Sequence, residues 1–357
     1  MSNGATTRPD LRRSEQFLSA YAPPKIAGDF TGKHIISVEQ FDRRDLQILF
    51  DATLSIRRRM RQHDRGLLQL TAGRLMATLF YEASTRTDLS FQAAMRHLGG
   101  EVVAASNGVQ FSSIYKGENL ADTVRAVGCY SDVIVLRHPD VGSSYEAAYY
   151  LDRLREQVIR QPVVISGGDG IGEHPSQALL DIFTIFDCKS RIDGLDITLV
   201  GDLRHGRTVH SLAKLIARYE AQDTTLNFVA PAELSMPANV LSYLEGKGIT
   251  VNETENLYDV LGATDVIYWT RVQEERFADP GSYEAIKDRF VMTPEVFAHA
   301  KADAILMHPL PRKNEMGTPA DHDALDADPR TVYFKQMENG MFVRMALLAK
   351  VLGGLWV

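Results

Sequence analysis

Short apolar runs rich in β-branched residues alternate with longer amphipathic stretches from residue 33 to the end of the sequence. Such alternation is typical of a parallel sheet covered by helices. Strands are predicted at residues 75–81, 132–136, 162–166, 196–200, 225–229, 266–269 and 304–307. Helices are predicted between them. The pattern therefore indicates an α/β fold built from doubly wound parallel sheets.

The length of 357 residues predicts two domains, because a typical domain has roughly 100–200 residues. Residues 33–174 would form the first and residues 175–337 the second, with a ligand cleft between them. The final stretch, residues 338–357, is apolar with a helical period and is expected to return to the first domain. Residues 1–32 lack the apolar stretch of a secretory signal, which predicts a partly ordered extension.

Polar or glycine-containing segments follow six of the seven predicted strands. Open parallel sheets bind ligands at the carboxyl ends of their strands, so these segments hold the candidate binding residues. The candidates are Ser84, Thr85, Arg86 and Thr87 after the first strand, Arg137 after the second, His174 and Gln177 after the third, Arg207 and Arg271 after later strands, and Pro309 and Leu310 after the last.

The segment Ser84-Thr85-Arg86-Thr87 begins a predicted helix that stops at Gly99-Gly100. The first turn of a helix has backbone N–H groups without intrahelical partners, and the hydroxyls and the guanidinium add further donors. An ordinary capped helix would need only the hydroxyls. We interpret the segment as a phosphate-binding site.

Composition limits the classes of partner. The formal net charge of -7 argues against a general nucleic-acid-binding protein, and no apolar run approaches the ~20 residues that span a bilayer. A cytoplasmic location is expected, and an organelle transit peptide within residues 1–32 is the alternative. No residues have metal-ligand spacing, and the turn at residues 200–203 lacks the G-x-G-x-x-G pattern, so neither a metal nor a dinucleotide cofactor is expected.

The octapeptide at residues 80–87, Phe-Tyr-Glu-Ala-Ser-Thr-Arg-Thr, resembles the carbamoyl-phosphate signature of the aspartate and ornithine carbamoyltransferase family. Further segments resemble the family in order, at residues 116–123, 137–139, 168–170, 174–177, 200–203 with 206–208, 270–273 and 308–312. The resemblance covers about residues 33–357. It implies a first domain that binds carbamoyl phosphate and a second that binds an amino acid.

The resemblance also implies how carbamoyl phosphate would be held. The phosphate would be bound by Ser84, Thr85, Arg86 and Thr87, and the carbamoyl oxygen would be contacted by Thr87, Arg137 and His174. Gln177 would orient the carbamoyl amide, while Pro309 and Leu310 would offer backbone carbonyls to the attacking amine. Attack by an amine turns the carbamoyl oxygen into an anion, and fixed donors aimed at such an oxygen lower the barrier.

The implied aspartate site consists of Arg207, Arg271 and Gln273. Arginine fits because its planar fork meets a carboxylate with two parallel hydrogen bonds. The loop at residues 112–117 resembles the family loop that reaches into a neighbouring subunit. Within it, Ser112 and Lys116 would contact carbamoyl phosphate, and Lys116 also aspartate. A homotrimer with shared sites is therefore expected.

The expected reaction transfers the carbamoyl group of carbamoyl phosphate to L-aspartate, giving N-carbamoyl-L-aspartate and phosphate, an early step of de novo pyrimidine (UMP) biosynthesis. Regulatory chains or pathway enzymes as partners are left open. The alternative substrate is ornithine, but ornithine carbamoyltransferases typically have Cys where this chain has Pro309. Arg271 and Gln273 also suit a second carboxylate.

Two departures from the family pattern accompany these matches. Asp88 stands where the family usually has Arg, and a carboxylate near bound phosphate would weaken its affinity. Ser166 and Gly167 stand where Asn-Ala is frequent, which leaves the hydrogen bonding of the following loop undetermined. Asp88 keeps a second class of function open, a non-catalytic homologue that acts as a scaffold or regulatory partner.

Overall fold

The computed structural model describes residues 13–105, 117–272 and 290–354. Contacts divide these residues into two compact units. The first contains residues 13–40, 63–105, 117–174 and 348–354, and the second contains residues 41–62, 175–272 and 290–347. The chain passes between the units four times, at residues 40–41, 62–63, 174–175 and 347–348.

The first unit is built on a four-stranded parallel sheet with the order β2-β1-β3-β4. Its strands are β1 (Leu75–Phe80), β2 (Glu101–Ala104), β3 (Val133–His138) and β4 (Val163–Asp169). Every residue of β4 is buried, which explains why its first half, residues 163–165, is a continuous apolar run rather than an alternating one.

The second unit is built on a five-stranded parallel sheet with the order β7-β6-β5-β8-β9. Its strands are β5 (Asp196–Val200), β6 (Thr225–Val229), β7 (Thr250–Thr254), β8 (Val266–Trp269) and β9 (Ile305–Met307). All four residues of β8 are buried, and Tyr268 and Trp269 are among the largest fully buried side chains. The predicted class, two parallel-sheet α/β domains, is confirmed.

The helices of the described residues lie between these strands and at both ends of the chain. They are α1 (Phe17–Ala20), α2 (Arg43–Arg61), α3 (Thr85–His97), α4 (Leu120–Gly128), α5 (Ser143–Leu154), α6 (Pro175–Lys189), α7 (Arg207–Arg218), α8 (Ala238–Gly246), α9 (Tyr258–Leu261), α10 (Pro294–Phe297), α11 (Pro319–Ala327) and α12 (Tyr333–Val351). None of them is long and apolar enough to cross a membrane.

Helix α2 belongs to the second unit, although the sequence-based division kept it in the first. Its Phe50 ring stacks on Phe186 with 4.9 Å between ring centroids, and its Arg57 Nη2 lies 2.6 Å from Asp187 Oδ1. Both partners lie on α6. An amphipathic period shows that a helix covers a core but does not show which one.

The end of α12 lies in the first unit, where the final helix was expected to return. Gly32 donates its N–H to the Val351 carbonyl at 2.8 Å. The earlier part of α12, up to Leu347, groups with the second unit. The described part of the predicted N-terminal extension also contributes to the first unit, because Phe17 is buried with its ring 5.1 Å from that of Tyr149.

Candidate active site

Three neighbouring strands bring the predicted carbamoyl-phosphate residues of the first unit to one edge of its sheet. Ser84 to Thr87 follow β1, Arg137 is the fifth residue of β3, and His174 follows β4. The register pairs Phe80 with Arg137 across the sheet. Since the strands are parallel, their carboxyl ends and the residues after them lie at the same edge.

Helix α3 begins at Thr85, directly after Ser84 as its N-cap. Within the described part of the chain, the Ser84 hydroxyl makes no capping hydrogen bond. Thr87 is buried, whereas Thr85 and Arg86 are exposed. The positive end of the helix dipole and the first-turn N–H groups therefore lie beside a hydroxyl that is not used for capping, as expected of a phosphate-binding helix.

Two oxygens fix the position of the Arg137 guanidinium. Its Nη1 donates to the Gly167 carbonyl at 3.1 Å, and its Nη2 lies 3.4 Å from Glu82 Oε2. The side chain is only 12% exposed. A cation held in this way at a strand end is preorganised to donate hydrogen bonds to an anion.

The glycine-rich segment before His174 is shaped by close backbone contacts. Gly170 has a φ of +49°, and a Cβ at this position would collide with the Pro139 carbonyl oxygen. The buried Asp169 accepts the N–H groups of Gly142 and Glu173 at 2.9 and 2.8 Å. His174 itself is buried and lies immediately before α6. These bonds fix the path of the chain that delivers His174.

The structure clarifies the local setting of both departures from the family pattern. Ser166 Oγ accepts the N–H of Gly168 at 3.2 Å, so the serine supplies a hydrogen bond within the glycine-rich segment. Asp88 Oδ1 accepts from Gln92 Nε2 at 2.8 Å, one turn further along α3. The carboxylate of Asp88 therefore has a donor on its own helix.

The second unit gathers the remaining described candidates at the carboxyl edge of its own sheet. Arg207 is the first residue of α7 after β5, and Arg271 lies two residues after β8. These two strands are neighbours. Gly201 packs so closely on Thr270 that a Cβ there would collide with the Thr270 carbonyl oxygen. The two arginine-bearing segments thus start from backbones in direct contact.

The segment after β9 is held by His308. Its Nδ1 accepts the Leu310 N–H at 2.8 Å, so the ring proton is on Nε2, which lies 3.1 Å from the buried Glu315 carboxylate. Leu310 has a φ of +55°, in the left-handed region. Pro309 and Leu310 are half-buried. The histidine and glutamate hold the backbone here in a conformation that a leucine rarely adopts.

Gln177 lies in a buried network that the sequence-based interpretation did not include. Its Nε2 donates to Asp181 Oδ1 at 2.9 Å, and the same oxygen accepts from Gln336 Nε2 at 2.6 Å. The Tyr268 hydroxyl donates to Asp181 Oδ2 at 2.7 Å. Burial raises the pKa of Asp181 to about 7, although these donors and the nearby Arg344 oppose the shift. An acidic residue inside the apolar run of α6 was the available signal.

Ser112, Lys116 and Gln273 lie outside the described residues. In the described ranges, no group of three or more His, Cys, Asp or Glu side chains is arranged to hold a metal ion.

Sequence comparison assigns both halves of the chain to one family of transferases. Residues 33–187 match the aspartate/ornithine carbamoyltransferase carbamoyl-P binding domain, and residues 193–351 match the Asp/Orn binding domain. The chain belongs to the aspartate/ornithine carbamoyltransferase family, and the resemblance found in its motifs is confirmed.

Aspartate carbamoyltransferases are among the proteins similar to this chain. The chain is 42% identical to the aspartate carbamoyltransferase catalytic subunit of Methanocella arvoryzae over 91% of this chain and 99% of that one. Over 95% of its length, this chain is 46% identical to the multifunctional protein CAD of Squalus acanthias. It spans only 14% of the length of CAD and of several other multifunctional relatives.

Solved structures agree with the sequence relatives. Aspartate transcarbamoylase from Trypanosoma cruzi in complex with carbamoyl phosphate and aspartate matches with a TM-score of 0.81 and 41% identity, over 93% of this chain and 100% of that one. The same enzyme in complex with N-(phosphonacetyl)-L-aspartic acid matches with a TM-score of 0.81 and 42% identity, over 92% and 98%.

Proposed function

We propose that this chain transfers the carbamoyl group of carbamoyl phosphate to the amino group of L-aspartate, giving N-carbamoyl-L-aspartate and phosphate for pyrimidine biosynthesis. The observation that carries the proposal is the Ser84-Thr85-Arg86-Thr87 segment at the start of α3, with Arg137 at the end of the neighbouring strand. The solved relatives that match this chain bind carbamoyl phosphate and aspartate.

In this proposal the first unit binds and polarises carbamoyl phosphate. The N-terminus of α3, with Ser84, Thr85 and Arg86, holds the phosphate. Thr87, Arg137 and His174 donate to the carbamoyl oxygen as it becomes an anion. Because the guanidinium of Arg137 is already held by Gly167 and Glu82, it needs little reorganisation when that charge develops.

The second unit supplies the groups that receive the amino acid. Arg207 and Arg271 take its carboxylates, since a guanidinium binds a carboxylate through paired hydrogen bonds. Gln177 and the carbonyls of Pro309 and Leu310 orient the reacting nitrogen atoms. The proposed contacts to aspartate also include Lys116 and Gln273. The proposed contacts to carbamoyl phosphate also include Ser112 and Lys116. The departing phosphate accepts the proton that the attacking amine loses, so the scheme uses neither a metal nor a cofactor.

The proposal extends to assembly and location. A homotrimer would let the segment at residues 112–117 of one subunit serve the site of the next. Fusion of related chains into multifunctional proteins favours other enzymes of the same pathway as partners. The proposed location is the cytoplasm.

The test is an assay of phosphate release and carbamoylated product with carbamoyl phosphate and either L-aspartate or L-ornithine. We expect product with aspartate, and a loss of about 10²-fold or more in kcat/KM for Arg86→Ala. Arg96→Ala is the matched control, because Arg96 is an exposed arginine in the last turn of the same helix. Product with ornithine alone would replace aspartate by ornithine as the substrate.

The second candidate function, a non-catalytic scaffold or regulatory partner, rests on Asp88. A folded protein that forms no product with either amine would favour it. The Asp88→Arg variant then identifies the cause, because it removes a negative charge from the phosphate-binding helix. We expect tighter carbamoyl-phosphate binding in this variant, and unchanged affinity would show that Asp88 does not oppose the substrate.

A further inference from the structure

Asp181 is a buried carboxylate of the second unit. It contacts, directly or through one further side chain, the segments that carry the candidate site residues described in that unit. Asp181 lies on α6 with no measurable exposure. Its Oδ1 accepts from Gln177 and from Gln336, and its Oδ2 accepts from Tyr268. The three donors come from α6, α12 and β8, which are far apart in the sequence.

Two of these donors, Gln336 and Tyr268, also connect Asp181 to segments that carry candidate site residues. Gln336 uses its other amide atom, Oε1, to accept the His308 N–H at 3.0 Å, immediately before Pro309 and Leu310. The Tyr268 hydroxyl also lies near the side chain of Thr208, the neighbour of Arg207. The strand that carries Tyr268 leads within three residues to Arg271.

We propose that Asp181 is a positioning residue for carbamoyl transfer, holding the Gln177 amide and, through Gln336, the backbone at His308 in the orientation that the reacting nitrogen atoms require. This inference rests on the proposed function. With its Nε2 committed to Asp181, Gln177 presents its carbonyl oxygen as the remaining acceptor for an N–H group of the substrate. Asp181 makes no contact with substrate itself.

The chain offers a matched pair of variants on α12. Gln336 and Asn339 are both fully buried, and both donate to side chains of α6: Gln336 to Asp181, and Asn339 to Thr184 at 3.3 Å. Only Gln336 also holds the His308 backbone. Gln336→Leu and Asn339→Leu each remove a buried polar contact between the same two helices, but only the first releases the segment that carries Pro309 and Leu310.

We expect Gln336→Leu to lower kcat by about 10-fold or more, since small displacements of groups that orient substrates are costly. Asn339→Leu should keep kcat within about 2-fold of the unchanged protein. Affinity for inorganic phosphate, measured by calorimetry, should stay unchanged in both variants, because phosphate alone requires only the start of α3. Equal kcat values for the two variants would overturn the inference.

Two further variants keep the test decisive if Gln336→Leu does not fold. Tyr268→Phe removes the donor to Asp181 Oδ2 and should lower kcat by about 3-fold or more with phosphate affinity unchanged; an unchanged kcat would overturn the inference. Asp181→Asn keeps an acceptor for both glutamine amides and should retain more kcat than Asp181→Leu, and equal values would also contradict it. Inactivity of the unchanged protein, by contrast, would reject the proposed function itself.

Discussion

Asp181 and Asp187 are two aspartates of the same helix, α6, and both accept hydrogen bonds from several side chains. Their pKa values nevertheless move in opposite directions. Burial raises the pKa of Asp181 to about 7. Burial also acts to raise the pKa of Asp187, but Arg57 and Lys335 outweigh it and lower the value to about 2.

The difference lies in the charge of the donors. Gln177, Gln336 and Tyr268 are neutral donors that favour the anion too weakly to offset burial, whereas the charged donors Arg57 and Lys335 favour it strongly. Arg344, buried near Asp181, is a cation that opposes the shift, and burial lowers its own pKa to about 10. The comparison teaches that neutral hydrogen-bond donors hold a buried carboxyl group in place without offsetting the effect of burial on its pKa, whereas charged donors do offset it.

The largest effect on stability is expected for Asp181→Leu. The variant leaves three buried donors, Gln177, Gln336 and Tyr268, without their acceptor, at about 1–3 kcal/mol each. A loss of about 4 kcal/mol in unfolding free energy at pH 7 is expected, measured by urea denaturation. A loss below about 1 kcal/mol would show that the donors find other partners.

Asp181→Asn should change the pH dependence of stability. The folded pKa of Asp181 lies above the unfolded value, so its contribution to stability is complete below about pH 4 and is lost as the pH rises towards about 7. The variant removes this dependence. The advantage of the unchanged protein over the variant should therefore shrink by about 3 kcal/mol from pH 5 to pH 8. An equal difference at the two pH values would contradict the raised pKa.

Asp187→Asn should act in the opposite pH range. The folded pKa of Asp187 lies below the unfolded value, so its contribution is present above about pH 4 and is lost as the pH falls through about 2. The Asp187 side chain is only 8% exposed. A loss of about 2 kcal/mol is expected at pH 7, fading at pH 2. Denaturation at both pH values tests this, and a loss that persists at pH 2 would assign the effect to packing.

The smallest effect is expected for Asp303→Asn. Asp303 pairs with Lys189, at the end of the same helix, but its side chain is 77% exposed. Solvent-screened pairs contribute no more than about 1 kcal/mol. The change in unfolding free energy should stay below that value and disappear at high salt. A loss of unfolding free energy that persists at high salt would mean that the exposed pair of Asp303 stabilises the protein in the same way as the buried pairs of Asp187.

Most of the fold could be predicted from the sequence because most strands are buried on both faces. All seven predicted strands are present. The two strands that were missed, β2 and β7, are edge strands with mostly exposed or half-buried residues. β7 contains no continuous apolar run and β2 only a short one, so the pattern that reveals a buried strand is weak or absent in them.

The candidate site was predictable where its residues are adjacent in the sequence. Ser84 to Thr87 and Pro309 with Leu310 form local segments whose neighbours already indicate a strand end. The Asp181 network was not predictable in this way, because Gln336 follows Asp181 by 155 residues. Tertiary packing brings these side chains together, and the local hydrophobic periodicity of the sequence does not indicate such a contact. The signal that the sequence did contain was an acidic residue, Asp181, between apolar neighbours on α6.

Gly201 has a consequence for how selectivity in this chain could change. Its lack of a side chain lets the backbones at the ends of β5 and β8 touch, and these strands lead to Arg207 and Arg271. The distance between Arg207 and Arg271, the two proposed carboxylate-binding residues, is thus limited by Gly201, which has no functional group. A larger residue at position 201 would widen that span, so preference among dicarboxylic amino acids of different length could shift without any substitution that touches the substrate.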